Sequence, residues 1–194
     1  RPPKLALELR YTPVMDLIFM ALPVFAFLIV AEVVFTSLQG GGVYALKDFA
    51  GSMSQLGINS IVRLGTGGAL IGLHFFLYQF RVFDVPNTVW GWIFTFVVID
   101  FVFYWYHRAQ HRVRFMWCAH VVHHSSEHMN LGTALRQSPT GPFTRALFYW
   151  PLPLLGFHPL LVASAGAVAT IYGFWTHTEV VKKLWVFLVI LLTK

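Results

Sequence analysis

The chain has 194 residues, enough for one compact domain; 57% are hydrophobic, 17% aromatic and only 11% charged, with a mean hydropathy of +0.63. A soluble domain carries about 25% charged residues, so this chain lacks the polar surface to cover itself in water and reads as a multi-pass membrane protein. The net charge of +6 belongs with loops facing anionic headgroups; no nucleic-acid motif accompanies it, and that class of partner is excluded.

Residues 1–13 are polar and proline-bearing, and the start at Arg1 without a signal-peptide pattern reads as an incomplete N-terminus. An apolar span follows at about Leu17–Leu38, interrupted by Pro23 and Glu32, and its length permits a membrane crossing. Residues 39–60 carry glycines and polar side chains, which predicts a loop. The second span is about Ile61–Phe80, where Gly68 and Gly72 form a small-residue face suited to close helix approach. His74, alone in that span, reads as a hydrogen-bonded packing residue. The third span, Val85–Tyr106, is rich in aromatic residues and runs straight into His107. Beyond the histidine-rich region, Pro151, Pro153 and Pro159 rule out one straight helix. They predict a re-entrant or interfacial piece over Phe143–Gly156, then a span over Leu160–Trp175 with His177 at its end, and place His158 in a loop. The single cysteine, Cys118, excludes an intramolecular disulfide framework.

The stretch Asp100–Ser138 holds six of the nine histidines, five of them within 18 residues. His107 and His111 are four apart; His120, His123 and His124 are related by three and four. On a helix such offsets put side chains on one face, with about 5–6 Å between neighbouring Cβ atoms. Two such faces turned together make a cage of imidazole nitrogens, a site for iron, copper or zinc. There is no HExxH for a zinc peptidase and no cysteine pair for structural zinc. A b-type haem needs two axial histidines, fewer than are gathered here. Asp100, Tyr104, His107 and His111 continue one stripe at offsets of four, three and four. A carboxylate inside an apolar span marks function by default, and Asp100 is placed to orient a histidine and fix its tautomer. Arg108, Arg112, Arg114 and Arg136 put this region on the cytoplasmic face by the positive-inside rule.

HRAQH at His107–His111, HVVHH at His120–His124, the run SSEHMNLGTALRQS at Ser125–Ser138 and FWTHTE at Phe174–Glu179 together resemble the fatty acid hydroxylase/sterol desaturase superfamily of membrane di-iron oxygenases. They are most similar to its alkylglycerol monooxygenase-like branch. The resemblance implies an all-α fold, a multi-pass transmembrane helical domain with a cytoplasmic histidine-cluster cap, in a bacterial inner membrane or the endoplasmic reticulum. On this reading residues 1–60 form an N-terminal polar segment, first span and loop, 61–183 the hydroxylase-like membrane domain, and 184–194 a short apolar tail. The implied activity is O2-dependent hydroxylation or desaturation of a membrane lipid by two iron ions, with reducing equivalents from a separate electron-donor protein or a pterin. His107, His111, His120, His123 and His124 become metal ligands, and His177 a further ligand or near neighbour. Glu127, Asn130, Arg136 and Gln137 become contacts behind the ligands or to a substrate headgroup, with helix capping by Glu127 and phospholipid binding by Arg136 as the alternatives. Two departures stand out. Arg112 occupies a position where ether-lipid relatives often carry Glu, and the final HxxHH box expected after FWTHTE is absent from the sequence, which reads VVKKLWVFLVILLTK. A truncated or inactive relative that keeps a partial metal site is therefore the alternative expectation.

Overall fold

The computed structural model describes residues 13–180, with side chains from Met20 onward. It contains helices and 3₁₀ turns and, among the described residues, no strand. Residues 1–12 of the expected polar segment 1–13 and the apolar tail 184–194 lie outside the described residues, while Pro13 opens the first helix.

Among the described residues, three helices are long and apolar enough to cross a membrane. α1 spans Pro13–Leu38, α2 Leu46–Tyr78 and α3 Val89–Arg112. Their exposed side chains include Phe27, Leu64, Trp90 and Phe101, apolar surface that water does not tolerate and lipid does. The chain is an integral membrane protein on this pattern.

α2 differs from the sequence expectation. Residues 46–60, expected as a loop, are its first turns. Glycine in a helix interior costs only about 1 kcal/mol relative to alanine, and the polar residues here are used: Ser52 and Asn59 are buried. At 1.5 Å per residue a helix of 33 residues is about 50 Å long, against about 36 Å for α3. Gly65, Gly67, Gly68 and Gly72 would each accept a Cβ with nothing within 4 Å, so no described helix of this chain makes the close approach expected on the Gly68–Gly72 face. His74 Nδ1 lies 2.8 Å from the Leu70 carbonyl, the packing role expected of it.

The start of α3 is fixed by its turn. Thr88 Oγ1 accepts from the Gly91 amide at 3.2 Å, and a Cβ on Gly91 would sit 1.9 Å from the Pro86 carbonyl oxygen. Only glycine fits there. α3 runs six residues past its expected end and carries HRAQH on its last turns. Near that end Tyr106 is buried, with its hydroxyl 3.0 Å from Thr144 Oγ1 and accepting from Gln110 Nε2 at 2.9 Å.

α4 spans Arg114–His120, followed by 3₁₀ turns at His123–Ser125 and Thr133–Leu135. α5 (Gly141–Tyr149) and α6 (Pro151–Leu154) then run back to the loop between α2 and α3. There Val82 donates to the Leu154 carbonyl at 2.8 Å and Val85 to that of Gly156 at 3.1 Å. Gly156 has φ +96° and lies against the Phe83 carbonyl, where a side chain would not fit. α7, Pro159–Phe174, returns toward the histidines. It has 16 residues, about 24 Å, and packs against α3 and α1. Its Leu161 and Ala165 are fully enclosed, so it is a core helix of the expected length that is too short to cross a membrane. His158, expected in a loop, is buried as its N-cap and accepts from the Leu160 amide at 3.3 Å. The main core joins Ile99 of α3, Tyr149 of α5, Leu152 of α6 and Val162 and Ala165 of α7. A second cluster, Ile29, Leu131 and Phe174, sits at the histidine end.

Candidate metal centre

The offset of four that places His107 and His111 on one face of α3 brings their Nε2 atoms to 2.9 Å, with the rings stacked. His120 closes α4 and His124 lies in the following 3₁₀ turn; their Nε2 atoms are 3.0 Å apart. The two pairs face one another edge-on, with the His107 and His120 rings 4.8 Å apart. One nitrogen from each of the four lies within 4.8 Å of all the others. Two ligands at right angles on an ion with metal–nitrogen bonds of about 2.1 Å stand about 3.0 Å apart, the separation seen within both pairs. Burial, reinforced by the neighbouring imidazoles, lowers the His120 pKa to about 3, and burial lowers that of His124. These two rings are neutral at physiological pH and offer lone pairs, the form in which histidine binds metal.

A second pair stands beside the first four. His123 Nδ1 donates to the Arg136 carbonyl at 3.1 Å, and His177 Nδ1 donates to the Gly173 carbonyl at 2.9 Å. A carbonyl only accepts, so both protons sit on Nδ1. Burial lowers the His123 pKa to about 4 and lowers that of His177. Each Nε2 is therefore a bare lone pair, and the two lie 3.0 Å apart. Two lone pairs held face to face repel; a cation between them reverses the sign. The His123 ring is 5.5 Å from His120 and 5.3 Å from His124, which joins the pair to the four. Six imidazoles with no thiolate among them fit a borderline ion such as iron.

The other sequence-selected residues divide. Arg136 is buried; its guanidinium donates to Asp48 Oδ1 at 2.7 Å, Ser52 Oγ at 3.1 Å and Ser125 Oγ at 3.0 Å. Enclosed in this way it does not meet a headgroup. It holds the backbone carbonyl that fixes the His123 tautomer. Gly51 leaves the room, since a Cβ there would meet Arg136 Nη2 at 3.3 Å. Asn130 is buried and ties its loop down, donating to the Val43 carbonyl at 2.8 Å and accepting from the Thr133 amide at 3.1 Å. Gln137 Nε2 donates to the Ala134 carbonyl at 3.2 Å. Glu127 is exposed and caps none of the described helices. Tyr104 accepts from Arg108 at 3.0 Å. Asp100 is half-buried on α3, two turns before His107, and its charge bears on Tyr149 of α5.

Spacing did not mark Glu32, Asp48 or Ser52, which nonetheless bind the histidine-bearing segments. They reach them from 78 to 146 residues away in sequence. Only the cost of a carboxylate in an apolar span hinted at Glu32. Next to His111 lies an open cleft of about 350 Å³ lined by His111, Arg112, Val113, Arg114 and Trp117.

Comparison with known proteins follows the same residues. The chain is similar to the alkylglycerol monooxygenase of Danio rerio, 36% identical over 167 residues, 84% of this chain and 37% of the relative. It is 35% identical over 172 residues to that of Homo sapiens, 87% of this chain and 38% of the relative. With that of Xenopus tropicalis it shares 31% over 162 residues, 82% and 36%. The chain thus spans less than two-fifths of the length of these relatives. No solved structure matches it. The profile of the fatty acid hydroxylase family aligns with residues 92–194, over half of the sequence. Since that region takes in all six of the gathered histidines, the chain belongs to the fatty acid hydroxylase family.

Proposed function

We propose that this chain carries the metal centre of a membrane monooxygenase that holds two iron ions and uses O2 to hydroxylate a C–H bond of a membrane lipid. Two facts support a second ion beside the first: the His123 and His177 Nε2 lone pairs face each other at 3.0 Å, each fixed by a proton on the opposite nitrogen. That observation carries the reading. Bound iron would supply O2 activation strong enough for an unactivated C–H bond. His107, His111, His120 and His124 would hold one ion, and His123 with His177 would begin the shell of the other. Asp100 and Tyr104 are proposed to bear on the centre from the membrane side, along the stripe they share with His107. Glu127 and Gln137 are proposed as neighbours of the substrate headgroup on the histidine loop.

The relatives are named for alkylglycerols, which makes an ether lipid the first substrate to test, ahead of fatty acyl chains and sterols. Lipid enters from the bilayer, and the centre sits where α3 ends. Reducing equivalents come from a separate donor protein or a pterin. Arg108, Arg112 and Arg114 around the centre support a cytoplasmic face, in a bacterial inner membrane or the endoplasmic reticulum.

The test is iron content and lipid oxidation by the full chain purified in nanodiscs. Near two iron ions per chain, with O2-dependent hydroxylation of an alkylglycerol, is the expected result. His124→Ala should lose iron while inserting normally. A wild-type chain that retains no iron, or a His124→Ala variant with unchanged iron, refutes the ligand assignment.

A further inference from the structure

Glu32 lies in the apolar span of α1 and is buried. A carboxylate at that depth is costly unless donors surround it, and three do. Oε1 accepts from the Thr178 hydroxyl. Oε2 accepts from the Tyr44 hydroxyl and, at 2.8 Å, from the Leu131 amide. Burial, with the Glu32 hydrogen bond and charge adding to it, raises the Tyr44 pKa, so that hydroxyl keeps its proton and donates. Among the described residues the ion pairs are Arg81–Asp84 and Arg136–Asp48, so neutral donors alone hold Glu32.

Where those donors sit decides the meaning. Thr178 directly follows His177. Leu131 lies midway along the loop from His124 to Arg136, whose carbonyl orients His123. The same two segments meet again at the next residues: the Met129 amide donates to Glu179 Oε1 at 2.8 Å and the Glu179 amide to the Met129 carbonyl at 3.1 Å. The carboxylate thus ties a side-chain hydroxyl next to His177 to a backbone amide in the loop after His123. The four-histidine group stands on α3, α4 and the turn after it, and none of the Glu32 contacts reaches those elements.

We propose that Glu32 is a positioning residue for the second metal ion: by holding Thr178 and Leu131 together it sets His177 against His123, and it leaves the four-histidine site alone. The inference rests on the two-ion reading above. A purely architectural carboxylate would disturb both sites alike; a clasp on one pair disturbs one.

The experiment titrates the metal-depleted full chain in nanodiscs with Co(II), following its absorption spectrum. Wild type should fill two sites. Glu32→Gln and Thr178→Val should each weaken one site by about 10- to 100-fold, the usual effect of removing a group that orients a ligand. The other site should keep its affinity and spectrum. His177→Ala should weaken the same site. Thr178→Val removes a single hydroxyl contact and serves where Glu32→Gln does not insert. Variants that titrate like wild type, or that lose both sites together, overturn the clasp. A wild type that fills one site overturns the two-ion reading itself, and shows this before any variant is made.

Discussion

His123 shows how much of a histidine's capacity as a ligand is decided by the ring nitrogen that faces away from the cluster. Its Nδ1 is spoken for by the Arg136 carbonyl, and burial lowers its pKa from 6.5 to about 4. His120 falls from 6.5 to about 3. A histidine that stays neutral when folded but takes a proton when unfolded makes the unfolded state the better proton binder between the two pKa values. Stability of the metal-free protein is therefore full above the unfolded value of about 6.5. It should fall steadily as pH drops toward 4. Thermal unfolding of the metal-free chain between pH 7.5 and 4.5 measures this. A midpoint that stays constant over that window contradicts the neutral assignment. The offsets of three and four among the histidines made their grouping readable from sequence alone, because helix geometry acts on near neighbours. The tautomer was not readable, because the carbonyl that sets it lies 13 residues away and carries no side-chain signature.

At the scale of elements, glycine has opposite meanings on two helices. Gly91 in α3 would press a Cβ to 1.9 Å from the Pro86 carbonyl oxygen, while Gly68 in α2 would place one in open space. Gly91→Ala should destabilise the chain by about 1–3 kcal/mol or more, as overpacking does. Gly68→Ala should be neutral or stabilising by up to about 1 kcal/mol, from helix propensity alone. Thermal unfolding in detergent distinguishes them, and equal effects would contradict the packing described. Existence and order of the three long helices were legible, since each is a long apolar run. The first turns of α2 were not, because Gly51, Gly57 and the polar side chains around them look like loop composition. What makes them helical is tertiary: Ser52 and Asp48 bind Arg136 from a segment 84 and 88 residues away.

For the whole molecule, the six histidines come from α3, α4, the loop after it and the turn after α7. An ion bound among them adds a direct link between these segments to the core packing of α3 against α7. Binding to the folded state alone adds about 4 kcal/mol when free metal is 1,000 times its Kd. Chelation should therefore lower the thermal midpoint of the purified chain, and readdition of iron should restore it. An unchanged midpoint would mean that the cage holds nothing. Family membership was readable because its motifs are short and local. The two carboxylates that brace the cage, Glu32 and Asp48, lie on other helices, and their pairing exists only once the chain is folded.

The length of α2 has a consequence of its own. Loss of one turn anywhere along it would draw Asp48 about 5.4 Å toward the opposite end of the helix, farther than a hydrogen bond stretches, and Arg136 would lose its anchor. The centre is thus calibrated to a helix counted in whole turns. Between Gly57 and Tyr78 the number of residues is constrained even where one apolar side chain can replace another, as at Ile61 and Leu64, which are 70% and 86% exposed. Insertions and deletions there act on the histidine cluster without touching a residue near it.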